Sequence, residues 1–185
     1  LNEIASQQQL RLAFLRWAVV TVPFVLLLGF TAARLAPAGS QNAWYAALVK
    51  PPLTPPDWAF PVAWTTIYIL LGLALAMILH ARGARLRGVA ILLFAVQLAV
   101  NLIWSPVFFG MHQVTLALGI VALMFALTLA MTVVFARIRM LAAVLLVPYL
   151  AWLLLAFYLN YGIMALNPGA ETLAPSGSTT QIIKL

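Results

Sequence analysis

Three runs of polar and aromatic residues stand out from an otherwise apolar chain: Trp64, Tyr68 and Gly72; Gln97, Asn101, Trp104 and Phe108; Tyr149, Trp152, Ala156 and Asn160. Within each run the residues recur every three or four positions, which sets them on one face of a helix. Indole and phenol faces stack on flat apolar molecules, while their N–H and O–H groups and the Asn and Gln amides satisfy a few polar atoms. Three such faces turned to a common hollow would make an aromatic chamber for a large, flat, mostly apolar ligand. Conventional catalysis is disfavoured. The three acids (Glu3, Asp57, Glu171) and two histidines (His80, His112) fall in loops, tails or helix ends, leaving no buried acid–base pair and no nucleophile triad. The chain has no cysteine, which excludes disulfides and thiolate metal sites; no metal and no required cofactor are expected.

The elements that must carry these faces follow from composition. Of 185 residues, 65% are hydrophobic and 7% charged, with mean hydropathy +1.09, against about 45–50% and 25% in soluble domains. That composition is one of an integral membrane protein of one domain and excludes a water-soluble enzyme. The net charge of +7 is spread along the chain, so membrane lipids rather than nucleic acid are its expected reader. A helix needs about 20 apolar residues to cross the hydrocarbon. Uncharged gaps of 17 residues (Arg16 to Arg34), 24 (Asp57 to Arg82), 49 (Arg87 to Arg137) and 31 (Arg139 to Glu171) mark the spans. The 49-residue gap holds two, broken at Gly110-Met111-His112-Gln113. The expectation is an all-α, five-helix bundle, with helices at 14–34, 61–80, 88–109, 114–136 and 141–164. Long continuous apolar runs favour helices over the alternating strands of a barrel. Pro61 suits a helix opening, and Pro23, Pro106 and Pro148 predict local bends.

Residues 1–13 form a polar N-terminal segment. A secretory signal is the alternative for the first span, but its uncharged run of 17 exceeds the usual signal core and it carries Trp17, Phe24 and Phe30. One face of the bundle collects Arg11, Arg16, Arg82, Arg85, Arg87, Arg137 and Arg139; the other has Arg34, Lys50 and Lys184. The first should be cytoplasmic, giving an N-terminus inside a bacterial inner membrane, with the 35–60 loop and the C-terminus outside. Residues 165–185, rich in Ser, Thr, Gly and Pro, read as a mobile tail.

Counting at 1.5 Å per residue from the helix ends puts Trp152 about 16 Å deep, Asn101 about 20 Å and Ala156 about 22 Å. Interfacial anchoring explains a Trp near a helix end and so fails for Trp152, whereas it accounts on generic grounds for Trp17, Trp44 and Trp58. The implied chamber has a small-residue floor at Ala156 and a polar contact from Asn101; Gln97 and Asn160 fit hydrogen bonding between neighbouring helices, a chamber contact being the alternative for Asn160. Four prolines within Pro51–Pro56 stiffen the 35–60 connection. With Trp44, Leu53 and Trp58 it could lie over the bundle as a lid; a loop in the headgroup layer is the alternative.

Three stretches resemble the translocator protein family, also called tryptophan-rich sensory proteins or peripheral-type benzodiazepine receptors (TspO/MBR). They are W-Y…K-P…P-P-x-W-x-F-P-x-x-W-T from Trp44 to Thr65, N-x-x-W-S-P-x-F-F-G from Asn101 to Gly110, and P-Y-L-A-W…L-N…L-N from Pro148 to Asn167. The resemblance implies a bacterial five-helix protein, often a homodimer, that binds porphyrins such as protoporphyrin IX or haem. Isoquinoline and benzodiazepine-type ligands would share the pocket. Carried over by motif, the ligand contacts are Tyr45, Trp64, Asn101, Trp104, Trp152 and Ala156; the helical faces add Tyr68. Family members have been linked to tetrapyrrole and steroid transport, stress signalling and light-dependent porphyrin breakdown. Two departures stand out. Leu53 occupies a usually aromatic position, and no Lys or Arg follows Tyr158 and Tyr161 until Lys184. The family's C-terminal cholesterol pattern is therefore missing, and cholesterol binding is not expected.

Four functions compete. A ligand-binding sensor, carrier or scavenger needs the chamber; light-driven degradation would use Trp64 and Trp152 as electron donors. An ion-coupled transporter needs ionisable groups deep in the membrane, and there are none. An assembly protein would use small-residue surfaces at Gly29/Ala33 and Gly72/Ala76.

Overall fold

The charge-free gaps become helices in the computed structural model, which describes residues 7–173. In chain order these are α1 (Gln7–Leu35), a short α2 (Ala43–Ala47), α3 (Ala59–His80), α4 (Arg87–Ser105), α5 (Val114–Ala136), α6 (Met140–Val144) and α7 (Val147–Leu166). Five spans are long and apolar enough to cross a membrane, α6 and α7 together making the fifth, and no strand occurs among the described residues. The chain is an all-α integral membrane protein. Its outward side chains suit lipid: Val19 and Leu27 of α1 are 71% and 66% exposed. Leu71, Met124, Met131, Phe135, Leu146 and Leu153 fill the interior.

Helix ends differ from expectation where charge counting has no say. α1 starts at Gln7, inside the segment expected to be a polar lead-in, because Gln side chains suit a helix and arginines end an apolar run, not a helix. α1 also runs through Pro23 without ending. The third span reaches Gly110, but its α-helix closes at Ser105 and Pro106–Gly110 forms one π-helical turn, with Met111 N–H donating to the Pro106 carbonyl at 2.9 Å. The fifth span breaks just before Pro148, which opens α7 in the first turn, where its missing N–H costs nothing. His112 adopts φ 57°, the left-handed turn between the third and fourth spans.

The closest packing joins α1 to α3. A Cβ on Gly72 would stand 2.6 Å from the Val22 Cα, and one on Gly29 would collide with the Tyr68 ring. Thr21 Oγ1 donates to the Gly72 carbonyl at 2.8 Å across the same seam. Gly29 and Gly72, expected on surfaces for close helix contact between copies, are consumed inside the chain, and Ala76 is fully buried.

The tail expected to be mobile from residue 165 keeps contact with the bundle as far as Glu171. α7 continues to Leu166, Ala170 is buried, and Glu171 Oε1 accepts from Thr115 N–H at 2.8 Å, a carboxylate on the first turn of α5. The composition of the tail hid this, because its partners lie far off in sequence. The remainder, residues 174–185, lies outside the described residues, as do Glu3 and the side chain of Arg11.

Candidate functional site

Residues from α1, α3, α4 and α7 enclose two adjoining hollows. The larger, about 330 Å³, opens between α1 and the α3–α4 pair and has Tyr68, Asn101 and the small residues Gly29, Ala32 and Ala33 among its walls. The smaller, about 30 Å³, is walled by Tyr45, Trp152, Ala156 and Asn160 among others. Phe60, Trp64, Trp104 and Phe109 line both and form the partition between them. The seven expected contacts therefore do converge, but on two chambers. Trp64 and Trp104 stand between, Tyr68 and Asn101 lie on one side, and Tyr45, Trp152 and Ala156 on the other.

Ring geometry knits the partition together. The Trp64 ring stacks on Tyr68 (centroids 5.5 Å apart) and meets Trp152 edge-on at 6.2 Å; Phe60 meets Trp152 at 5.9 Å. Trp104 stacks on Phe108 at 5.3 Å and meets Phe109 edge-on at 5.8 Å. Offset and edge-to-face pairs of this kind favour a fixed arrangement. The i, i+4 spacing that puts Trp104 and Phe108 on one face holds across Pro106.

Beneath the partition runs a buried polar chain. Tyr68 Oη donates to Asn101 Oδ1 at 3.1 Å, and the Asn101 and Gln97 amides both donate to Tyr149 Oη at 2.6 Å. Asn101 is thus committed at both ends of its amide, although expected to offer a contact to ligand. Gln97 and Asn160 do bridge helices. The Asn160 amide donates to the Val114 carbonyl at 2.9 Å. Buried polar atoms ordinarily find partners, yet Trp104 Nε1 and Asn160 Oδ1 have none. Both residues line the smaller chamber, whose other walls are aromatic and aliphatic, but the two unpaired atoms are themselves enclosed by protein.

The 35–60 connection is latched at the same end of the bundle. Trp44, placed by generic expectation in an interfacial belt, is instead fully buried: its indole N–H donates to the Ala170 carbonyl at 2.8 Å and its ring stacks on His112 at 4.4 Å. Asn42 Nδ2 donates to the Phe109 carbonyl at 3.0 Å, and Asn167 both donates to the Val49 carbonyl and accepts from Val49 N–H. Tyr45 is buried against Phe108 and Phe109, with Lys50 Nζ 4.8 Å from its ring centroid. Leu53 and Trp58, expected on the lid, are 66% and 68% exposed and line neither chamber. Pro51 is buried against Gly162 of α7 while Leu53 faces outward, so the unusual Leu53 leaves the chamber walls untouched. Sequence spacing missed the contribution of α1 and of Asp57 at the mouth of the larger chamber; the cluster Gly29, Ala32, Ala33 was the available signal.

Comparison with known proteins points one way. The sequence model described as the TspO/MBR family matches residues 19–166. The tryptophan-rich protein TspO of Chlorobaculum tepidum is 40% identical over 144 residues, covering 77% of this chain and 90% of that protein. The tryptophan-rich sensory protein of Cereibacter sphaeroides is 39% identical over 153 residues, 80% and 95% of the two chains. The human translocator protein is 36% identical over 160 residues, covering 80% and 93%.

Proposed function

Because the chain belongs to the TspO/MBR family, we propose that its paired chambers bind a porphyrin, or an isoquinoline or benzodiazepine-type molecule, and that the protein acts as a sensor, carrier or scavenger of such ligands. The observation that carries this reading is the aromatic partition, the four side chains Phe60, Trp64, Trp104 and Phe109 that line both hollows. A planar ring would stack on the partition. The larger chamber lies at the low end of volumes used for small molecules. A tetrapyrrole therefore requires the partition to turn so that the two hollows merge. Protoporphyrin IX and haem are both candidate ligands, and Tyr68 and Tyr45, one in each hollow, are the wall residues of a type that can ligate haem iron. Family membership supports a homodimer, and the basic-residue bias supports a bacterial inner membrane with the N-terminus inside and the C-terminus outside.

Titration with protoporphyrin IX tests the reading. Tryptophan fluorescence should quench saturably, with affinity lost in Trp152→Ala and in Ala156→Phe, which fills the smaller chamber. Unchanged affinity in both variants would remove these chambers as the site.

Light-driven breakdown of bound porphyrin is a second reading, favoured by the 6.2 Å contact between Trp64 and Trp152, two indoles able to supply electrons to an excited ring. Conversion that requires illumination and is lost on Trp64→Phe and Trp152→Phe would favour it; turnover equal to that of free porphyrin in detergent would sink it.

A further inference from the structure

At the other end of the bundle a groove of about 360 Å³ lies where α1, α3 and α6 meet, lined by Phe14, Met77, His80, Arg139, Met140 and Leu141. Four walls are apolar, and the two remaining side chains are basic. Neither Arg139 nor His80 has a side-chain partner among the described residues, in contrast to Arg87, whose Nη2 donates to the Leu79 carbonyl at 3.2 Å. The described acids cannot neutralise this end. Glu171 sits on the first turn of α5 and Arg139 lies past its last, separated by 23 residues of helix, about 34 Å, and Asp57 lines the chamber at the Glu171 end. Arg16, Arg82, Arg85 and Arg137 add further positive charge.

We propose that this groove is a binding site for one anionic phospholipid, with the phosphate held by the Arg139 guanidinium and the His80 imidazole and an acyl chain against Phe14, Met77 and Leu141. A guanidinium offers phosphate two parallel N–H groups, and a basic residue at a membrane surface gains about fivefold in affinity for anionic lipid. The apolar walls select a lipid over a free phosphate, which would gain nothing from burying Phe14 or Met77. The site is independent of the aromatic chambers and does not rest on the porphyrin reading.

The test is native mass spectrometry of the full chain exchanged with equimolar dioleoylphosphatidylglycerol and dioleoylphosphatidylcholine, after thermal melts show which variants are folded. Wild type should retain a single phosphatidylglycerol in several-fold preference. Arg139→Gln should lower that preference about fivefold, Arg139→Lys should keep most of it, and Arg85→Gln, a basic residue outside the groove, should leave it intact. His80→Gln supplies an independent loss should Arg139→Gln fail to fold. Equal retention of the two lipids by wild type would overturn the proposal, as would an equal loss in Arg85→Gln and Arg139→Gln. Full displacement of the lipid by millimolar glycerol phosphate would overturn it too, marking a small-anion site.

Discussion

Trp44 and Ala170 are joined by a 2.8 Å hydrogen bond from indole N–H to backbone carbonyl, 126 positions apart in the chain. The bond fastens the connection between the first two spans to the segment that follows the last, so one side chain closes the bundle at the chamber end.

Trp44→Phe keeps the ring and deletes the donor, leaving a buried carbonyl unpaired at a cost of about 1–3 kcal/mol. The melting temperature in detergent should fall. Amide exchange should quicken at Asn167–Thr172 while α5 stays protected; uniform quickening through every helix would contradict a local latch.

Tyr149→Phe should destabilise more than Tyr68→Phe. The Tyr149 hydroxyl is the shared acceptor of the Gln97 and Asn101 amides, so its loss strands two buried donors, whereas Tyr68 serves Asn101 alone. Each stranded group costs about 1–3 kcal/mol. Thermal or denaturant melts of the two variants give the order, and equal midpoints would show that the chain is not a working unit.

Gly72→Ala should cost about 1–3 kcal/mol, since the added methyl meets the backbone of Val22. Gly119→Ala, with nothing near its Cβ position, should instead stabilise by up to about 1 kcal/mol through helix propensity. Opposite shifts in melting temperature are the expected outcome.

Trp58→Ala should leave protoporphyrin affinity within about twofold of wild type, because the exposed Trp58 ring touches neither chamber. Trp152→Ala, inside the smaller chamber, should not. Fluorescence titration separates the two, and a parallel loss in both would return Trp58 to the lid.

The inward faces of the spans were legible because helical spacing survives folding: Trp64, Asn101, Trp104 and Trp152 recur at intervals that any helix must honour, and only an inward face suits Asn101. For Gln97 and Asn160 helical spacing leaves both a bridge between helices and a chamber contact open; both residues bridge helices, and Asn160 also lines the smaller chamber. The partition was not legible. It depends on how Trp64 and Trp104 meet across two helices, and on a π turn that no residue pattern announces beyond Pro106 itself. Trp44 defeated the generic belt expectation because its acceptor is a backbone carbonyl in the tail, which has no side-chain signature.

The π turn at Pro106–Gly110 carries one residue more than an α-helical turn of the same rise. Removing a single residue there would rewind the segment and swing everything after it by about 100°. Phe109 would then carry its carbonyl out of reach of Asn42, and Phe108 would leave its stack on Trp104. One superfluous amino acid thus sets the phase between the wall of the chambers and the strap that crosses them.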